Sequence, residues 1–175
     1  NREVLALCDM PGYDPAVPNN KALMEAFAKV RAVADIEVGH NLEQFDDPMY
    51  NACMFLNKIK PGPVTRKIDT LKVLRSRMRL NSNKLDDVCQ ELGIGKKLKH
   101  QGIEMWTGCM DGKDKSWDQM KRYNQHDVDP LLRGLYEHVR PWVINHPNLS
   151  VDMKLPGCPS CGHHILKSWG VRHTQ

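Results

Sequence analysis

ADIEVGHNLEQFDDP, residues 34–48, passes from strand chemistry to helix chemistry within a few positions. ADIEVGH (34–40) reads as a strand, and Pro48 suits the first turn of a helix running to about Leu56. Asp46 therefore falls just beyond a strand end, at the start of a helix. Carboxylates gathered from distant parts of a chain are what hard cations such as Mg²⁺ need. The stretch thus sets out both an α/β pattern and a candidate ligand.

Working outward, VLALC (4–8) reads as a strand that ends at Asp9, and the Pro- and Gly-bearing DMPGYDPAVPNN (9–20) as a loop. Residues 20–33 form an amphipathic helix pattern, with Leu23, Ala26, Phe27, Val30 and Val33 on one face and Asn19 or Asn20 as cap. After the KPGP turn (60–63) come a short strand, VTRKI (64–68), and a basic helix from about Thr70, for which Asp69 is a cap. Ser82 is placed to cap NKLDDVCQEL (83–92), whose Leu85, Val88, Cys89 and Leu92 share a face and whose end is marked by Gly93. Residues 114–140 read as helical, interrupted at Pro130.

Strands followed by helices predict an α/β sheet. Three strands are fewer than such a sheet usually has, and the chain opens on Asn1. The expectation is a domain over residues 1–145 whose first strands precede residue 1. A boundary near the polar, Pro-bearing 145–156 separates it from residues 146–175, a linker and the first half of a small Cys-bearing element.

The 175 residues suffice for one domain with a real core, and 41% hydrophobic against 26% charged residues is ordinary for a soluble protein. No apolar run approaches a membrane span, and the N-terminus has no signal-peptide pattern. The six cysteines are scattered except Cys158 and Cys161. That excludes a secreted disulfide framework and predicts a reducing, cytoplasmic setting. Cys8, Cys53, Cys89 and Cys109 lie among apolar residues and read as buried small hydrophobes.

The net charge of +4 is concentrated: residues 58–84 carry nine basic residues and one acid, which leaves the rest of the chain negative. Such a segment fits a polyanion partner, most simply nucleic-acid phosphate, or equally a solvated face. YNQHD (123–127) places Tyr123 and Asp127 four residues apart, on one face of a helix.

GHNLEQFDDP and YNQHDVDPLL together resemble two signatures of the DEDD exonucleases of the ribonuclease-H-like superfamily, in its tyrosine subgroup. That subgroup includes the proofreading domains of family-B DNA polymerases and stand-alone phage and bacterial relatives. The first stretch has Asn41 followed after three residues by Phe45-Asp46; the second has Tyr123-x-x-x-Asp127 followed by apolar residues. KIDTLKVLR and SNKLDDVCQELGI look like the intervening strand and helix, so the likeness runs from about residue 4 to residue 142.

The resemblance implies a metal-dependent 3′–5′ exonuclease acting on DNA or RNA, with two Mg²⁺ or Mn²⁺ ions. It implies Asp46 and Asp127 as metal ligands, Tyr123 positioning the attacking water, and His40 and Asn41 near the substrate's 3′ terminus. Lys72, Arg75 and Lys84, in the basic segment, are expected to hold phosphates. The family's first signature, Asp-x-Glu on a strand, does not occur before Asp46. A non-catalytic nucleic-acid-binding module of the same fold is therefore an alternative.

CPSCGHH (158–164) has the Cys-x-x-Cys-Gly knuckle of a zinc ribbon, with Cys158 and Cys161 as thiolate ligands for structural Zn²⁺. His163, His164 or His173 can supply further ligands at unusual spacing, and a zinc-ribbon adaptor is a second alternative. Of the remaining chemistry-bearing residues, Asp47 reads as solvated, and His126 and His138 as helix-surface residues. Trp106, Trp117 and Trp142 read as packing anchors rather than base-stacking platforms.

Overall fold

A computed structural model describes residues 4–17, 19–62, 66–99 and 102–144. Asn1–Trp142 form one unit, and Val143–Gln175 fall outside it. The zinc knuckle at Cys158 and Cys161, with His163, His164 and His173, lies outside the described residues.

The described chain is mixed α/β and mostly helical. In order come α1 (Lys21–Ala32), β1 (Ile36–Gly39), α2 (Asp47–Leu56), β2 (Arg66–Asp69), α3 (Thr70–Arg77), α4 (Leu85–Glu91), α5 (Ile103–Met110), α6 (Asp114–His126) and α7 (Arg133–Val139). β1 and β2 pair in parallel, with Ile36 opposite Arg66 and Gly39 opposite Asp69. Parallel neighbours need a crossover, and α2 lies in that connection. The register brings His40–Asn41, just after β1, and Asp69–Thr70, at the end of β2, to the same end.

Asp69 ties that end together. Its carboxylate accepts from the backbone N–H groups of Leu71 (3.0 Å) and Lys72 (3.4 Å), capping α3 as predicted. It also accepts from those of Asn41 (2.9 Å) and Glu43 (3.1 Å), across from the end of β1. Thr70, fully buried, donates its hydroxyl proton to the Gly39 carbonyl at 3.0 Å. Buried polar groups need such partners, and here they fix the two strand ends against each other.

The core beside the sheet is built from Met54, Ile68, Leu71, Leu74, Val88 and Cys89 together with Leu131, Leu135 and Val139. The last three recur every four residues, a stripe that turns α7 inward. Gly134 lets α7 approach the chain after α4, since a Cβ there would lie 2.6 Å from Ile94 Cγ2. α5 and α6 form a helical hairpin around Met105, Cys109 and Met120, with Trp117 packed against them. Tyr13 closes this cluster: Trp117 Nε1 donates to its hydroxyl oxygen at 3.0 Å. The predicted interruption at Pro130 is present, where Asp129 (φ −136°, ψ 103°) breaks the helical path between α6 and α7.

Several expectations are corrected. VLALC is not a strand: Leu7–Asp9 form a 3-10 turn, so Asp9 ends no strand. The turn closes reciprocally, with Asp9 N–H donating to the Ala6 carbonyl and Ala6 N–H to the Asp9 carboxylate. Lys121 Nζ pairs with the same carboxylate at 2.5 Å. A strand there would forgo those bonds, and the sheet of the described residues has two strands. The apolar face of α1 is not buried. Phe27, Val30 and Val33 are exposed, and Phe27 instead meets the Tyr50 ring edge-on at 5.1 Å. Asn19 accepts from Lys21 N–H at 3.0 Å, whereas Asn20 turns its amide to Cys53 Sγ.

Ser82 does not cap α4. Its hydroxyl donates to Asp87 at 2.5 Å while the flanking Lys84 stays extended. Asp47 is buried rather than solvated, held by Arg31 (3.1 Å) and Lys67 (2.5 Å). Arg31 also pairs with Glu37, so α1, β1, α2 and β2 share one ion network. Trp117 is a packing anchor, but Trp106 and Trp142 are exposed. Cys89 and Cys109 are buried, Cys8 and Cys53 only partly, and all four thiols are free.

Candidate nucleic-acid and cation cleft

A cleft of about 790 Å³ opens at the strand ends. β1 delivers His40 and Asn41 to it, the turn before α2 delivers Asp46, α3 delivers Arg75, and the segment entering α4 delivers Asn83 and Lys84. The end of α6 supplies Asp127, and the loop after α4 supplies Lys97. Of the residues singled out in the sequence, His40, Asn41, Asp46, Arg75, Lys84 and Asp127 thus line one cavity. Lys72 lines an adjoining groove of about 400 Å³ that shares Asn41 and Arg75 with the cleft; its ammonium pairs with Glu43 at 2.7 Å.

Tyr123 and Asp127 are joined by a residue that the pattern missed. Lys97 Nζ donates to Asp127 Oδ2 at 2.7 Å and to the Tyr123 hydroxyl oxygen at 3.2 Å. Burial works against its charge, but the hydrogen bonds to Asp127 and Tyr123 outweigh it and hold the ammonium above its usual range. The loop is pinned on either side. Lys97 N–H donates to Asp86 at 2.6 Å, and His126 Nε2 donates to the Lys96 carbonyl at 2.9 Å. His138 stays on the helix surface, as expected. Asp127 Oδ1 is buried with no hydrogen-bond partner. No spacing rule in the Gly- and Lys-rich loop singles out Lys97 from Lys96 or Lys99.

Asp46 stays accessible, yet partial burial raises its carboxyl above the usual value, with the charges of Asp47 and Asp69 adding to the rise. His40 is held between the Thr70 hydroxyl (2.9 Å) and the Asn83 carbonyl (3.0 Å). A carbonyl only accepts, so Nε2 carries a proton. Burial pushes His40 below its ordinary value, and the nearby Lys97 and Arg75 charges act the same way against the Asn83 carbonyl and Asp69. Asn41 takes a left-handed conformation (φ 72°), which Asn tolerates better than most residues.

Cation fit can be judged from these donors. A buried carboxylate oxygen without a partner and a second, partly buried carboxylate are hard-oxygen chemistry. Mg²⁺ is commonly held by one or two carboxylates together with phosphates and water. Asp46 and Asp127 supply carboxylates of that kind to the same cleft. Among the described residues no group of three or more His, Cys, Asp or Glu side chains is arranged to hold a metal. A separate groove of about 480 Å³, lined by Leu7, Tyr13, Trp106, Met110, Trp117 and Met120, is apolar and lacks this convergence of charged groups.

Comparison with protein-family models, with curated proteins and with solved structures returned no match to this chain. Among the described residues no helix is long and apolar enough to cross a membrane.

Proposed function

We propose that the cleft binds the 3′ end of a nucleic acid and that the protein is a metal-dependent 3′–5′ exonuclease on a ribonuclease-H-like fold. The observation that carries the reading is the convergence of Asp46 and Asp127 in one cleft with Arg75 and Lys84. Parallel strands ending beside a carboxylate, and Tyr123 one helical turn before Asp127, accord with the resemblance of the two sequence signatures.

In this reading Asp46 and Asp127 hold Mg²⁺ or Mn²⁺. Such an ion supplies Lewis acidity and lowers the pKa of bound water. Arg75 and Lys84 hold the phosphate backbone, with Lys72 extending the track along the adjoining groove. Asn41 and His40 border the terminal nucleotide. The Tyr123 phenol orients the attacking water through its hydroxyl. Hydrolysis places that water's oxygen on phosphorus, breaks the phosphorus–O3′ bond, and leaves a 5′-nucleotide and a chain shorter by one residue. Cys158 and Cys161 are proposed to bind structural Zn²⁺, and the free thiols accord with a reducing compartment such as the cytoplasm.

The test is release of nucleotides from a 3′-labelled single-stranded oligonucleotide in Mn²⁺. Asp46→Asn and Asp127→Asn are each expected to lower the rate at least a hundredfold. Cleavage at the wild-type rate in both variants would remove the assignment. A second reading is binding without cleavage, since among the described residues no three metal-ligating side chains converge. Retention of the oligonucleotide with no release in wild type would select it.

A further inference from the structure

We infer that Lys97 is a resident counter-ion whose ammonium occupies the cation position at Asp127 and is displaced when a divalent ion binds. The inference rests on the reading of Asp46 and Asp127 as cation ligands and adds a gate to that site.

Asp127 presents two oxygens of different standing. Oδ1 is sealed from solvent and has no hydrogen-bond partner. Oδ2 is held by Lys97 Nζ at 2.7 Å, in a pair whose side chains are 34% and 19% exposed. An ion arriving from the cleft meets Oδ2 first and finds a positive charge already there. Like charges within about 4 Å repel even at a partly exposed site, so both cannot sit on one carboxylate oxygen without cost. The two cations compete.

The geometry also defines what can move. The Lys97 backbone is fixed by Asp86, and its neighbour Lys96 by His126, so displacement falls to the flexible four-carbon stem. The ammonium now also donates to the Tyr123 hydroxyl oxygen and lies 5.5 Å from the centre of the Tyr123 ring. Its departure therefore releases Oδ2 and ends the Lys97 contacts with Tyr123. In the ion-free protein Lys97 limits repulsion between Asp127 and the other carboxylates of the cleft. Once released it faces the same cavity as Arg75 and Lys84, where a phosphate is the anionic group that can receive it. A phosphate that captures the ammonium helps an ion to bind, and the ion helps the phosphate in equal measure.

The experiment is Mn²⁺ titration by calorimetry on the full chain without nucleic acid, comparing wild type with Lys97→Met, Lys97→Arg and Asp127→Asn. Lys97→Met keeps the stem and removes the charge, and Mn²⁺ is expected to bind it about tenfold more tightly, the scale of one partly exposed charge pair. Lys97→Arg retains the charge and is expected to bind no more tightly than wild type. A phosphorothioate oligonucleotide, added to wild type, is expected to tighten Mn²⁺ binding and to have less effect on Lys97→Met. Should Lys97→Met fail to fold, Lys97→Gln and the oligonucleotide effect on wild type carry the same test. Unchanged or weaker binding in the charge-removed variant, with Asp127-dependent binding in wild type, overturns the counter-ion role and leaves the cation site standing. No Mn²⁺ binding by any variant overturns both.

Discussion

His40 and Asp46 sit in one cleft and depend on pH in opposite senses. Burial is the main reason that the His40 imidazole titrates below its ordinary 6.5 in the folded protein. The unfolded chain therefore takes up a proton first as pH falls. Stability from this residue is fully present above about 6.5 and is lost as pH drops through the folded value. Urea midpoints measured from pH 8 to pH 5 are expected to fall below pH 6.5, and less steeply in His40→Gln; an identical slope in the variant would exclude His40 as the cause. For Asp46 the sign reverses, because its carboxyl is raised, mainly by burial. The folded state prefers the protonated acid, and the carboxylate form is disfavoured once pH exceeds the folded value. Asp46→Asn is accordingly expected to melt at or above the wild-type temperature at pH 7, a trade of stability for a charged site. A lower melting temperature would show that the carboxylate makes a stabilising contact instead.

At the scale of elements, the joint between β1, β2 and α3 depends on one side chain. Asp69 caps α3 and also takes the Asn41 and Glu43 N–H groups, so it holds the cleft-bearing turn to the sheet. Loss of a cap costs about 0.5–2 kcal/mol, and unpaired donors left at a buried site add to it. Asp69→Ala is expected to lose roughly 2–4 kcal/mol in denaturant melts, with Asp69→Asn losing less because it keeps an acceptor. Equal losses in the two variants would mean that charge, not hydrogen bonding, makes the joint. This double role also explains why a conspicuous carboxylate between two helices and a strand is structural, although it lies close to the proposed ligands.

For the whole molecule, the basic segment 58–84 does not act as a uniform patch. Lys67 is committed to buried Asp47, and Lys72 to Glu43, whereas Arg75 and Lys84 line the cleft. Affinity for a single strand is therefore expected to fall with salt, and Arg75→Ala to reduce the slope of log K against log salt by about one contact. Lys113→Ala, whose ammonium pairs with Asp111 at the α5–α6 turn, is the control and should leave the slope unchanged. A slope unaffected by Arg75→Ala would place the phosphates elsewhere.

The sequence by itself determined the elements whose signals are local. These are α2 with its early Pro48, the β1 and β2 segments, α3 with its Asp69 cap, α4 ended by Gly93 (φ 68°), and the interruption at Pro130. It also nominated His40, Asn41, Asp46, Arg75, Lys84 and Asp127, which meet in the cleft. Backbone restriction, capping and helical periodicity act within a few residues, so they can be read from one stretch of chain. The tertiary structure decided what depends on a partner. VLALC became a turn because Asp9 and Lys121 satisfied it and no strand among those described paired with it. Asp47 went inside because Arg31 and Lys67 came to meet it, Trp106 stayed outside, and Lys97 became the link between Tyr123 and Asp127. Burial and ion pairing are properties of two surfaces brought together from distant positions, and no local pattern encodes the second surface.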